Sequence, residues 1–236
     1  MSRLEQLYSD AVRIETTSTS PRILGYHESG RHCEVGIGIS DPELTEYLFV
    51  SLNPGAHRGT DGSINHAQDP IVTASAHPTM VQYLGETFPH ARNIRKFIKA
   101  FATAQGTSFK QEAPKFGTTN LSFFYSKTSG QLGESFFVEI GESFPVLRAE
   151  VSVPRLKALI FSGVSWEHFF YSLYQPGSRL ADFRQREGKH TWMHSFRTTL
   201  VTGTDSAVVF IVHLSATRGL TNESIASLGT RFAQIL

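Results

Sequence analysis

Three polar side chains stand at or near the ends of predicted strands, and their chemistry is that of hydrogen bonding. Asn53 follows an apolar run and opens an Asn-Pro-Gly turn, Asn120 lies in a second predicted strand, and His213 ends the most apolar run. An amide donates and accepts hydrogen bonds at once, and an imidazole can donate to an oxygen that gains negative charge. Ligands of open parallel sheets bind at the carboxyl ends of the strands. We therefore expect the three side chains to line one pocket.

Each of the three residues also has an ordinary structural explanation. Asn-Pro-Gly is a common turn for backbone reasons alone. An asparagine at a strand edge often satisfies loop amides, and His213 could simply cap its strand. Their joint placement at three strand ends makes coincidence a weaker explanation and favours a functional site.

The elements that must position these residues are strands alternating with helices. Such alternation is typical of an α/β fold with a mainly parallel sheet. We predict one three-layer α/β/α domain over residues 1–236, with a central four-stranded sheet. Residues 190–202 show β-rich alternation, which indicates a hairpin or a peripheral strand. The four central strands are predicted at residues 47–52, 119–125, 156–162 and 207–213.

Composition excludes several classes of protein. The 236 residues carry 22 Lys and Arg against 21 Asp and Glu, a net charge of +1, which is unlike a nucleic-acid coat protein but permits a local basic groove. The single cysteine, Cys33, allows neither an internal disulfide nor a cysteine-based zinc cluster. A charged N-terminus and the lack of about 20 consecutive apolar residues predict a soluble, cytoplasmic protein with no membrane partner. We expect a monomer.

Three short motifs, in this order, resemble the uracil-DNA glycosylase superfamily. The Asn-Pro-Gly at 53–55 looks like its first motif, in the form found in the mismatch-specific and single-strand-selective branches. The strand residue Asn120 is similar to the asparagine with which the family recognises the base. The segment 213–218 resembles the second motif, usually His-Pro-Ser followed by a loop that enters the duplex.

The resemblance implies an enzyme that hydrolyses the N-glycosidic bond of uracil or a related lesion base in DNA, without cofactor or metal. Asn53 would position the water, Asn120 would bind the base, and His213 would hydrogen-bond the carbonyl of the leaving base. The DNA itself would be contacted by Gly55 and Ser215 at phosphates and by Arg218 and Leu220 as a wedge in the stack.

Two departures from the family pattern concern the pocket. Leu214 stands where the second motif usually has proline, which changes the rigidity of that loop. Ala56 and His57 follow the glycine of the first motif, so the aromatic residue that would stack on the flipped base is not evident.

Alternative functions remain open from the sequence. A serine hydrolase would use Ser165 with His213 and either Asp182 or Asp205, although Glu167 occupies the place of the second glycine of a nucleophile elbow. A nucleic-acid-binding relative that has lost catalysis is another interpretation.

A metal site at His190 and His194 is weaker still. The intervening segment resembles a strand, where this spacing puts two residues on one face but far apart.

Overall fold

A computed structural model of the chain describes residues 1–55, 61–64, 69–127, 133–163, 166–188, 191–214 and 220–236. The chain forms two compact units, each assembled from three segments. Unit 1 comprises Met1–Gly38, Ser51–His77 and Thr119–Val151; unit 2 comprises Ile39–Val50, Pro78–Thr118 and Ser152–Leu236. One domain over residues 1–236 stays a prediction.

The described part of the chain contains both α-helices and strands, as predicted, although several elements of one kind follow each other directly. None of the helices within it has the length and apolar character needed to cross a membrane. The helices are α1 (Arg3–Thr16), α2 (Pro21–Glu28), α3 (Pro70–Ser75), α4 (Met80–Gly85), α5 (Pro89–Ala104), α6 (Phe109–Glu112), α7 (Ser135–Val151), α8 (Trp166–Ser172) and α9 (Asn222–Ala233), with a 3₁₀ turn at Ala113–Lys115. The strands are β1 (His32–Cys33), β2 (Tyr47–Ser51), β3 (Ser63–Ile64), β4 (Phe116–Asn120), β5 (Ala158–Ser162), β6 (Ala181–Gly188), β7 (Thr191–Thr199) and β8 (Asp205–Ile211).

The central sheet has six strands in the order β4-β2-β5-β8-β7-β6 and is mixed. Strand β5 pairs in parallel with β2 and with β8, whereas β7 pairs antiparallel with β8 and with β6. The α/β class is confirmed, but the sheet is wider than the four strands predicted. The cause is the long hairpin β6–β7, which extends the sheet beyond β8 and includes the region where a hairpin or peripheral strand was expected.

Helical side chains pack on both faces of this sheet in unit 2. Because side chains alternate along a strand, Phe49 of β2 turns to one face, where it meets Phe97 of α5 at 5.2 Å between ring centroids. On the other face Phe210 of β8 stacks on Trp166 of α8 at 4.6 Å. The central strands are therefore apolar on both faces, which is why short apolar runs predicted them.

The prediction for the second strand was wrong about where the strand begins and ends. Residues 119–125 were expected, whereas β4 is Phe116–Asn120. Beyond Asn120 the chain leaves the sheet: Phe124 forms an antiparallel bridge with Val35, and Ser126 a parallel bridge with Gly55. The aromatic residues that suggested a strand are instead buried in the core of unit 1.

Unit 1 is held by buried carboxylates as well as by its apolar core. Arg22 of α2 forms two hydrogen bonds of 2.9 Å with Glu139 of α7, whose side chain is fully buried. Glu150, near the end of α7, accepts hydrogen bonds from the backbone N–H of Gly38 and the hydroxyl of Thr119. Burial is the largest influence on Glu150 and raises its pKa from 4.5 to about 7.

The raised pKa predicts that Glu150→Gln weakens the pH dependence of folding stability. The folded protein keeps a proton on Glu150 between pH 4.5 and about 7 that the unfolded chain has released. The stabilisation of the folded state by this proton is therefore full below pH 4.5. It is lost as the pH rises through 7, which lowers the free energy of unfolding by up to about 3 kcal/mol. Urea unfolding at pH 5 and pH 7.5 measures the difference, and exposed Glu86→Gln controls for removing a carboxyl group. An unchanged difference in Glu150→Gln would contradict the assignment.

Candidate functional site

His213 lies two residues beyond the end of β8, the central strand that ends at Ile211. The imidazole is half-buried, while the next residue, Leu214, is fully buried in the core of unit 2. A buried strand thus delivers His213 to the carboxyl end of the parallel part of the sheet, as the sequence predicted.

Both backbone polar groups of Leu214 are bound by buried side chains. The N–H of Leu214 donates to Ser162 Oγ at 2.9 Å, and Asn93 Nδ2 donates to the carbonyl of Leu214 at 2.6 Å. Ser162 is the last residue of β5 and Asn93 lies in α5. A proline has no N–H to donate, so Leu214 makes a contact that a proline at this position could not make. At Leu214 itself, two hydrogen bonds and a buried side chain supply the rigidity.

Gly163 allows β5 to approach His213 closely. Its N–H donates to the carbonyl of Ile211 at 2.9 Å, and its φ is +71°, in the left-handed region. A Cβ atom added at Gly163 would lie only 2.4 Å from Cβ of His213. The glycine is therefore explained by its contact with the histidine.

A second histidine interacts with His213 in unit 2. His90, the second residue of α5, has its Nδ1 at 2.7 Å from the hydroxyl of Tyr83 of α4. Burial, and secondarily the charge of His213, lowers the pKa of His90 to about 4; burial also lowers the pKa of His213. Both shifts favour the uncharged imidazole, in which His213 keeps one N–H to donate.

Sequence reasoning missed His90 and Asn93, although one signal points to them. His90 lies four residues before Ile94 and Asn93 four before Phe97, so both are on the apolar side of α5. A polar residue on such a face marks a buried hydrogen bond or a site. No local pattern could have indicated Tyr83 or Ser162.

Asn53 is fixed within its own turn in unit 1. Its Nδ2 donates to the carbonyl of Pro54 at 2.8 Å and to Ser126 Oγ at 2.7 Å. Both amide hydrogens are thus used, and the other polar atom of the side chain, Oδ1, can only accept. Ser126 lies 73 residues from Asn53, and nothing in the sequence connects the two.

Asn120 is the half-buried last residue of β4, beside the strand that leads to Asn53. The N–H of Leu121 donates to the carbonyl of Ser51, and that of Ser122 to Leu52, both at 2.9 Å. Asn53 and Asn120 are therefore joined in sequence to two segments, 51–52 and 121–122, that are hydrogen-bonded to each other within unit 1. Their convergence with His213, which belongs to unit 2, stays a prediction.

Of the four residues predicted to contact DNA, the structure describes two, Gly55 and Leu220. Gly55 is exposed, its φ lies outside the left-handed region, and an added Cβ would meet no described atom within 4 Å. Its turn therefore does not require glycine. Leu220 is partly buried and packs against the core of unit 2, and its role as a wedge stays a prediction. Ser215 and Arg218 lie outside the described residues.

Both acids proposed for the serine hydrolase, Asp182 and Asp205, lie far from His213. Asp205 begins β8, so the strand alone separates it from His213 by roughly 20 Å or more. Asp182 is exposed near the start of β6 and lies 4.0 Å from Arg197, which pairs with Ala207 near that same distant end of β8. Ser165 lies outside the described residues.

The metal hypothesis for His190 and His194 finds no support at His194. That imidazole packs edge-on against Trp166 at 5.6 Å between ring centroids and lies 5.7 Å from Trp192. The environment favours a packing role. His190 lies outside the described residues.

Gly163→Ala should displace His213 and destabilise the protein. The substitution places a Cβ in the left-handed region, at about 1–2 kcal/mol, and adds overlap with His213 at about 1–3 kcal/mol. Gly203→Ala is the matched control, because its φ is +81° and its Cβ would meet no described atom within 4 Å. Denaturant unfolding of both variants isolates the overlap. Equal losses of stability would contradict the close contact with His213.

Ser162→Ala should cost about 1–3 kcal/mol of unfolding free energy, because it leaves the buried N–H of Leu214 without its acceptor. The control is Ser206→Ala: Ser206 is equally buried on β8, and its Oγ has no hydrogen-bond partner among the described residues. Chemical denaturation should show a much smaller loss for Ser206→Ala. A result in which the two variants are equally stable would argue against the Ser162 hydrogen bond.

No protein-family model and no curated protein sequence matches this chain. The likeness of its three short motifs to the uracil-DNA glycosylase superfamily stays a prediction.

Proposed function

We propose that this chain is a DNA base-excision glycosylase that hydrolyses the N-glycosidic bond of uracil or a related lesion base. The proposal includes a single uracil-DNA glycosylase-like domain, a three-layer α/β/α fold whose centre is the parallel part of the sheet, and a monomer in the cytoplasm. The observation that carries it is the position of His213 at the carboxyl end of β8, where two hydrogen bonds hold the backbone of the next residue, Leu214.

His213 would stabilise the departing base. A base inside the DNA stack cannot be attacked, so the nucleotide must first be flipped into a pocket. As the glycosidic bond breaks, negative charge grows on a carbonyl oxygen of the base, and a donor held at that position lowers the barrier. A neutral imidazole can donate one N–H there. The fixed backbone at Leu214 limits the reorganisation that this donor needs.

The two asparagines would position the other reactants. Asn53 would hold a water through Oδ1 below the sugar carbon, because its amide hydrogens are already donated to Pro54 and Ser126. An amide is a poor base, so its contribution is orientation and the bond breaks mainly by departure of the base. Asn120 can donate and accept at adjacent atoms, which suits uracil, where a carbonyl adjoins an N–H.

DNA contacts would be local, in keeping with the net charge of +1. Gly55 suits close approach of a phosphate, because it is exposed and no described atom fills the space of its missing side chain. Ser215 would bind a second phosphate, and Arg218 and Leu220 would enter the gap in the base stack. The proposed mechanism assigns no step to a metal or cofactor.

The test is a single-turnover assay with a labelled oligonucleotide that carries one uracil, followed by alkaline cleavage of the abasic site. We expect the parent protein to excise uracil and His213→Ala to do so about a hundredfold more slowly, with DNA affinity nearly unchanged. Asn53→Ala should also slow excision, and Arg218→Ala should weaken binding to duplex more than to single strands.

The control variant is His168→Ala, which removes a half-buried histidine from α8 and should leave the rate unchanged. DNA binding without cleavage by the parent protein would instead support the relative that has lost catalysis. Neither binding nor cleavage, together with ester hydrolysis abolished by Ser165→Ala, would support the serine hydrolase.

A further inference from the structure

Three potential metal ligands meet in unit 1, on residues that play no part in the proposed excision. Glu15 lies near the end of α1, His27 near the end of α2, and His32 begins β1. One ligand atom from each lies within 4.8 Å of the other two. The carboxylate contacts both rings, at 2.8 Å from Oε1 to Nε2 of His27 and at 3.1 Å from Oε2 to Nδ1 of His32.

A glycine turn brings the two histidines together. Gly30 has a φ of +72°, and its N–H donates to the carbonyl of His27, so α2 ends and the chain reverses direction. The N–H of Arg31 donates to the carbonyl of Tyr26 in the same turn. As a result the rings of His27 and His32 lie 5.4 Å apart between centroids.

The carboxylate of Glu15 is buried, and it also accepts a hydrogen bond from a residue outside the trio. Only 3% of the Glu15 side chain is exposed, against 23% for His27 and 31% for His32. A buried carboxylate is costly without partners, and the partners described for Glu15 are the two imidazoles and the N–H of Cys33, 2.8 Å from Oε1. Supporting donors of this kind orient the ligands of metal sites.

We infer that Glu15, His27 and His32 form a binding site for Zn²⁺. Two imidazole nitrogens and one carboxylate oxygen are a ligand set of open zinc sites, whereas Mg²⁺ and Ca²⁺ prefer oxygen ligands. Ligand atoms at about 2.0–2.1 Å from a tetrahedral ion are about 3.4 Å apart. The ligand atoms of the trio lie within 4.8 Å of one another, and the carboxylate contacts are 2.8 and 3.1 Å, so the side chains must shift by roughly an ångström to reach this spacing. Solvent reaches both imidazoles, and a water can complete the coordination.

The site joins α1, α2 and β1, and bound Zn²⁺ therefore stabilises the folded chain. The proposed base excision does not use this zinc site, and the residues assigned to excision are not among its ligands. Zinc binding and base excision are thus separate properties, and each can be tested whatever the outcome of the other.

The test is calorimetric titration of the whole chain, stripped with a chelator, with ZnCl₂. We expect one tightly bound ion per chain, a raised melting temperature, and no comparable effect of MgCl₂. His27→Gln and His32→Asn are designed to keep an amide N–H directed at Glu15 while removing the imidazole, and each should weaken zinc binding at least about tenfold. His168→Ala should bind as the parent does, which controls for the loss of a histidine.

X-ray absorption at the zinc edge provides a readout that needs no variant. In the unaltered chain it should show two imidazole ligands among nitrogen and oxygen neighbours at about 2.0–2.1 Å. The inference is overturned by the absence of saturable zinc binding, by parent-like affinity in both His27→Gln and His32→Asn, or by a spectrum without imidazole ligands.

Discussion

The role proposed for His213 depends on the hydrogen bonds made by the backbone N–H and carbonyl of the next residue, Leu214. A strand that ends in a loop normally delivers its next side chains imprecisely, because loop backbone is mobile. Here Ser162 accepts the N–H of Leu214, Asn93 donates to its carbonyl, and its side chain is buried. Gly163 lies close to His213, and the backbone next to this histidine is therefore held against β5. A donor held in this way needs little rearrangement when charge develops on its acceptor.

Strands β2, β5 and β8 could be predicted, because their positions follow from local sequence, whereas β4, which ends at Asn120, was placed wrongly. Phe49, Ile160 and Val209 lie in runs that are apolar on both faces, and such runs form buried parallel strands. The residues that end these strands follow from the same runs. The hydrogen bonds that fix them could not be predicted, since Asn93 is 121 residues from Leu214 and Ser162 is 52 residues away. Only tertiary packing determines such pairs.

Unit 1 was the less predictable part for a related reason. Helix α7 carries Pro145 and buries Glu139 and Glu150 among apolar residues, so its sequence lacks the usual amphipathic periodicity. Its carboxylates are balanced by partners from distant segments, such as Arg22 for Glu139. The trio of Glu15, His27 and His32 escaped notice because it depends on where the ends of α1 and α2 meet β1. Buried polar clusters are specified by the fold, and sequence spacing alone does not show them.

The central claim is that His213 stabilises negative charge on the departing base, and a change of leaving group tests it most directly. Single-turnover excision should be measured for uracil and for 5-fluorouracil, whose anion is the more stable, in the parent protein and in His213→Ala. The account predicts that loss of His213 slows the excision of 5-fluorouracil less than that of uracil, because less charge stabilisation is then required. Equal losses for the two bases, or no excision of either base by the parent protein, would contradict it.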